Sequence, residues 1–134
     1  MNLVSIRIIT GDVKKLLDFY EQVTGKTGVQ YTEDFAEIQS AFATLAIGST
    51  RTLAFFGGDE VAQAASNRSA IIEFIVEDVD AVYRKIAKLV QTGLIQEPTT
   101  MPWGNRSLLF RDPDGNLVNF FTPVSPEAIK KFSR

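Results

Sequence analysis

Apolar residues recur at helical spacing in two places along the chain, and the second stripe repeats the first. Val13, Leu16, Leu17, Tyr20 and Val23 follow an i, i+3, i+4, i+7 rhythm, and Val79, Val82, Tyr83, Ile86 and Leu89 carry the same rhythm 66 residues later. Each stripe opens on an aspartate, Asp12 or Asp78, whose carboxylate caps the first free amides and meets the positive end of the helix dipole. Gly25 and Gly93 are the expected stops.

Ahead of each helix the pattern changes to period two, which is the signature of a strand with one buried face. In the first copy Val4, Ile6 and Ile8 form the helix side, and Leu3, Ser5, Arg7 and Ile9 point the other way. In the second copy Ala70, Ile72, Phe74 and Val76 form the helix side, leaving Ile71, Glu73 and Ile75 opposite. Further strands are expected over Gly28 to Glu33, Ile38 to Ile47 and Arg51 to Phe56, then over Ile95 to Thr99, Ser107 to Arg111 and Leu117 to Thr122. Each half therefore reads as strand, helix and three strands, an α+β pattern of two βαβββ modules. Module one covers about 1–57, a polar linker with a short helical turn at Glu60 to Ala65 covers about 58–68, and module two covers about 69–124. Ser125-Pro126-Glu127 opens a C-terminal tail, 125–134, with the start signal of a capping helix.

The run from Pro102 to Phe121 carries the strongest local signal. Asp112-Pro113-Asp114-Gly115 sets a type I turn by the fixed φ of proline and follows it with a glycine free to take positive φ, so the apolar segments on either side form a hairpin. This run, together with Ser5-Ile6-Arg7-Ile8-Ile9 followed by the Asp12 helix with its Phe19-Tyr20 pair, and with Ile71 to Val79, resembles the vicinal oxygen chelate superfamily. That group includes glyoxalase I, extradiol dioxygenases and bleomycin-resistance proteins. The resemblance extends over nearly the whole chain, and implies a mixed, partly open sheet around a central cavity with the helices outside, housed in a single domain of 134 residues. It also implies a dimer.

Composition narrows the chemistry that such a cavity can perform. With 45% hydrophobic residues, ten of them Phe, the chain can bury a sizeable core. No apolar run is long enough to span a membrane, and the start lacks a signal-peptide pattern, so a cytoplasmic protein is expected. A net charge of −2 with scattered Lys and Arg gives no basic face for nucleic acid. There is no cysteine and no histidine, which removes thiolate nucleophiles, sulfur ligands and the commonest metal ligand and general base.

The resembled enzymes hold a divalent metal through a residue on the first and last strand of each module. The matching positions here are Ser5, Ile71, Asn119 and, for the last strand of module one, Leu53 or Ala54. A hydroxyl, an amide and two aliphatics give a divalent ion too little, so no metal and no cofactor are expected. One reading is then binding or sequestration of a small organic molecule, as in bleomycin-resistance-type proteins, by Ser5, Arg7, Ile71, Glu73, Trp103, Arg106, Leu117, Asn119 and Phe121. A second is a metal-free enzyme with Glu73 as desolvated general base and Arg7 or Asn119 steadying an oxyanion. A third is a degenerate, structural or interaction member whose cavity has filled with side chains.

Arg7 and Glu73 are related by the 66-residue offset, and either form an ion pair that fixes packing or orient a polar ligand. Trp103 either stacks on a planar ligand or covers a sheet edge, and Arg106 beside it either supplies a cation or is solvated. The modest negative charge, with Arg7 facing inward, does not form the acidic groove expected for bleomycin itself.

Overall fold

The computed structural model describes residues 1–133, which divide into two compact units, the first Met1–Asn67 and the second from Arg68 onward. In the first, strand β1 (Ser5–Thr10) leads into helix α1 (Val13–Thr24), followed by β2 (Val29–Thr32), β3 (Phe35–Gln39) and β4 (Thr44–Ser49). In the second, β5 (Ile71–Ile75) leads into α2 (Val79–Val90), followed by β6 (Leu94–Thr100), β7 (Asn105–Arg111), β8 (Leu117–Pro123) and a short helix α3 (Pro126–Lys131). The sheets have the same order, β1-β4-β3-β2 and β5-β8-β7-β6, with the first strand parallel to the last and the other pairings antiparallel. These are the two βαβββ modules of the sequence pattern.

Both helices start as their caps dictate. Asp12 accepts from the Lys15 amide and Asp78 from the Ala81 amide, each at 3.1 Å. Gly25 closes α1 at φ 69°, its amide donating to the Glu21 carbonyl at 3.0 Å. Gly93 behaves differently. The chain leaves α2 through a 3-10 turn, Gln91–Gly93, and a Cβ on Gly93 would stand 2.6 Å from the Arg111 carbonyl oxygen, so glycine is required by close backbone approach. The turn Asp112-Pro113-Asp114-Gly115 forms as expected, with the Gly115 amide donating to the Asp112 carbonyl and Gly115 at φ 83°. Asp112 secures it from within, accepting from the Asp114 and Asn116 amides.

Each sheet buries one face under its helix. Leu16, Leu17, Tyr20 and Val23 of α1 share a core with Ala36, Ile38, Leu45 and Ile47, and Val79, Ile86 and Val90 of α2 share one with Leu108, Phe110, Val118 and Phe120. Leu89 is 37% exposed and Val90 takes its place, so the second stripe is rotated towards the i+4 step after Ile86. The expected helix-side residues Val4 and Ile6 are 64% and 48% exposed, because α1 lies over β3 and β4 and leaves edge strand β1 uncovered.

Module one departs from the expected strands in a second respect. The run Ile38 to Ile47 is two strands, broken at Ser40, whose hydroxyl and amide both bond the Ala43 carbonyl. Arg51 to Phe56 is no strand: Thr50–Phe55 is a 3-10 helix started by Ser49, whose hydroxyl accepts from the Arg51 amide while the Thr52 hydroxyl donates to the Ser49 carbonyl. Glu60 to Ala65 holds turns and bends in place of the expected helical turn. Ser125 caps α3 as predicted, accepting from the Ala128 amide at 3.1 Å.

Candidate functional site

The side of each sheet away from its helix carries the residues that the sequence singles out, and the strand register fixes which of them are neighbours. In module two Glu73 lies opposite Asn119 on the parallel β5–β8 pair, and Leu109 lies opposite Asn119 on β7. The Asn119 amide donates to Glu73 Oε2 at 2.8 Å. A carboxylate only accepts, so this bond sets the amide's orientation and turns Oδ1 the other way. That oxygen is buried and has no hydrogen-bond partner.

Ile71 and Leu117 on one side and Ile75 and Phe121 on the other complete an apolar frame around the Glu73–Asn119 pair. Ile71 and Ile75 are exposed, whereas Phe121 is covered by Phe132 at the end of the tail, ring centroids 5.1 Å apart. Glu73 itself is exposed, and so lacks the desolvation that the general-base reading requires.

Module one presents a different set. Arg7 lies opposite Ala46, which lies opposite Glu37; one step along, Ile9, Gly48 and Phe35 are aligned in the same way. Small residues at 46 and 48 let the Arg7 side chain reach across β4. Its guanidinium carbon stands 4.5 Å from the Phe35 ring centroid and 4.8 Å from that of Phe56. Glu37 is engaged elsewhere, its Oε1 accepting from Tyr31 at 3.1 Å and from Gln39 at 3.0 Å. That bond holds the Tyr31 phenol above its ordinary titration range. Ser5 sits exposed opposite Thr44.

Two expected site residues stand apart. Arg106 lies on the helix side of β7, where Nε and Nη2 donate to Asp80 of α2 at 2.8 and 3.0 Å. The hydrogen bonds raise the Arg106 pKa and lower that of Asp80. Arg106 is thus committed to holding α2 and is no companion of Trp103. Trp103 is 67% exposed in the tight turn between β6 and β7, closed by the Gly104 amide donating to the Met101 carbonyl.

The register also corrects the last-strand position of module one. The offset of 66 that links the helices grows to 73 by the final strands, because the second module's hairpins are longer, so the counterpart of Asn119 is Ala46, not Leu53 or Ala54. The four positions at which the resembled enzymes carry metal ligands are then Ser5, Ala46, Ile71 and Asn119. Two have no donor atom, and Asn119 turns its amide nitrogen to Glu73. The donor set does not fit a divalent ion, and no group of three or more His, Cys, Asp or Glu among the described residues is arranged to hold one.

Phe35, Phe56, Glu37 and Phe132 are the contributors that the sequence reading missed. Phe35 carried a usable signal, since it alternates with Glu37 and Gln39. Phe56 did not, because its position depends on a 3-10 helix that looks like a strand.

Comparison with known proteins agrees with this architecture. The profile of the glyoxalase/bleomycin resistance protein/dioxygenase superfamily matches residues 2–120. An uncharacterized Bacillus subtilis protein, YraH, is 26% identical over 125 residues, spanning 90% of this chain and 98% of its own. A bleomycin resistance protein of Geobacillus stearothermophilus is 28% identical over 130 residues, spanning 85% of this chain and 91% of its own. Among solved structures, a glyoxalase/bleomycin resistance protein/dioxygenase family enzyme from Burkholderia phytofirmans superimposes with a TM-score of 0.79 at 16% identity, covering 92% of this chain and all (100%) of its own. No helix is long and apolar enough to cross a membrane among the described residues. With a profile match that runs through both modules, the chain belongs to the glyoxalase/bleomycin resistance protein/dioxygenase superfamily.

Proposed function

We propose that this chain binds and sequesters a small organic molecule through the helix-free faces of its two modules, without a metal ion. The observation that carries the reading is Asn119: its amide is fixed by Glu73, and its Oδ1 is buried with no partner. A buried acceptor left unmade costs about 1–3 kcal/mol, a cost that a ligand donor at that oxygen would recover. The exposed aliphatics Ile71 and Ile75 supply apolar surface around it, which is the mixture small-molecule sites use. The 28% identical relatives named as bleomycin resistance proteins support a binding role. A net charge of only −2 does not by itself supply the strongly acidic surface that a cationic drug would call for.

Exposed Leu3 and Val4 ahead of β1, with Ile6 on it, support the further expectation that two chains associate, which sedimentation velocity measures directly. A thermal-shift screen of small organic molecules, with native mass spectrometry of the purified protein, tests the binding role. The expected result is a ligand whose stabilisation is lost in Asn119→Leu and unaffected by chelator. A stoichiometric divalent ion on which that stabilisation depends would overturn the proposal.

A further inference from the structure

We infer that Arg7 is a carboxylate-binding site, and that the ligand of module one is a planar organic acid with an apolar body. The inference rests on the reading that the helix-free faces bind small molecules, and it names the class. Three observations converge on it. The guanidinium lies over the Phe35 and Phe56 rings, at 4.5 and 4.8 Å, and this leaves its five N–H groups without an acceptor among the described residues. The acid on the same face, Glu37, already accepts from Tyr31 and Gln39 and forms no ion pair with Arg7. Gly48 borders the guanidinium without blocking it, since even a Cβ there would stand at an ordinary contact distance of 3.5 Å from Arg7 Nη1.

These features prepare the cation for a particular partner. Ring contacts hold the fork in place through its π surface, so its planar edge is presented with little rotamer freedom left to lose on binding. A carboxylate matches that edge with two parallel charge-assisted hydrogen bonds, a geometry that a neutral amide or a cation cannot reproduce. The Tyr31 ring stacks on Phe35 with centroids 5.8 Å apart, extending an aromatic platform for the body of the acid.

NMR titration of the full chain with benzoate, benzamide, benzylamine and inorganic phosphate tests the assignment. Benzoate is expected to bind at least about tenfold more tightly than benzamide or benzylamine, since one lost charge-assisted hydrogen bond is worth that factor. Arg7→Gln should remove the preference. Arg7→Lys, which keeps the charge but not the fork, should retain only part of it. Phe56→Ala keeps the Arg7 charge but removes one of the two rings that hold its fork, and should weaken benzoate several-fold, which keeps the inference testable if Arg7→Gln does not fold.

Equal binding of benzoate and benzamide, unchanged benzoate affinity in Arg7→Gln, or phosphate binding as tightly as benzoate would each overturn it. Its failure is distinguishable from failure of the broader proposal. An Asn119-dependent ligand found in the screen, with no Arg7-dependent benzoate binding, leaves the broader proposal standing and removes this one.

Discussion

Replacing Asn119 by leucine separates folding from binding, because the two readings of that residue predict opposite signs. Leucine is nearly isosteric with asparagine and removes both the amide donor and the buried carbonyl acceptor. The donor's partner, Glu73, is exposed and exchanges the lost bond for water, at about 1 kcal/mol. The acceptor has no partner, so deleting it relieves about 1–3 kcal/mol of desolvation. Two more apolar contacts beside Leu109 and Phe121 add to the gain.

The ligand-free variant should therefore equal or exceed the parent by about 1 kcal/mol, a rise of roughly 3–5 °C in Tm for a domain of this size, while ligand-induced stabilisation disappears. Urea unfolding of both proteins, with unchanged m-values, provides the measurement. A loss of more than about 2 kcal/mol would refute the reasoning and make Asn119 a structural residue whose carbonyl is satisfied.

Other expectations follow from individual contacts. Gly48→Ala should leave folding stability within about 1 kcal/mol and benzoate affinity within about twofold, since the added methyl meets Arg7 Nη1 at an ordinary contact distance of 3.5 Å and crowds only the Thr52 hydroxyl, at 3.2 Å. Gly104→Ala combines a positive φ of 93° with a collision against Ser125, and should cost about 2–4 kcal/mol in urea unfolding. Asp80 has its pKa lowered by the Arg106 hydrogen bonds, so its contribution is present above the ordinary value of 3.8 and is lost as the pH falls through the depressed one. The Tm difference between the parent and Asp80→Asn should accordingly be larger at pH 7 than in strong acid. Glu37→Gln should bring the Tyr31 phenol back towards its ordinary value of 10.0, read by ultraviolet titration.

Much of the scaffold was legible because its signals are local. The capping aspartates, the helix stripes and the Asp112–Gly115 turn each depend on residues within a few positions of one another. The site was less legible, for two reasons. The offset of 66 points to Leu53 or Ala54 for the last strand of module one only if the hairpins of both modules are equally long, and no local pattern marks the break at Ser40 or the 3-10 helix after Ser49. Arg106 follows Trp103 closely in sequence, yet strand alternation sends its side chain to the helix side, where Asp80, 26 residues away, captures it. The partner of Arg7 was out of reach too, since Phe56 meets it only after the chain leaves β4 through that unexpected turn.

The shared strand order of the two modules has an evolutionary consequence. If the halves descend from one duplicated unit, each residue of the shared strands and helices has a paralogue in the same chain that records what the same backbone position accepts. Arg7 with Ala46 and Glu73 with Asn119 are then two solutions to one structural slot, one a cation beside a small residue, the other an anion beside an amide. Exchanging these pairs between the halves would place each on the strand pairing its counterpart occupies, and offers a route to reprogramming specificity within a single gene.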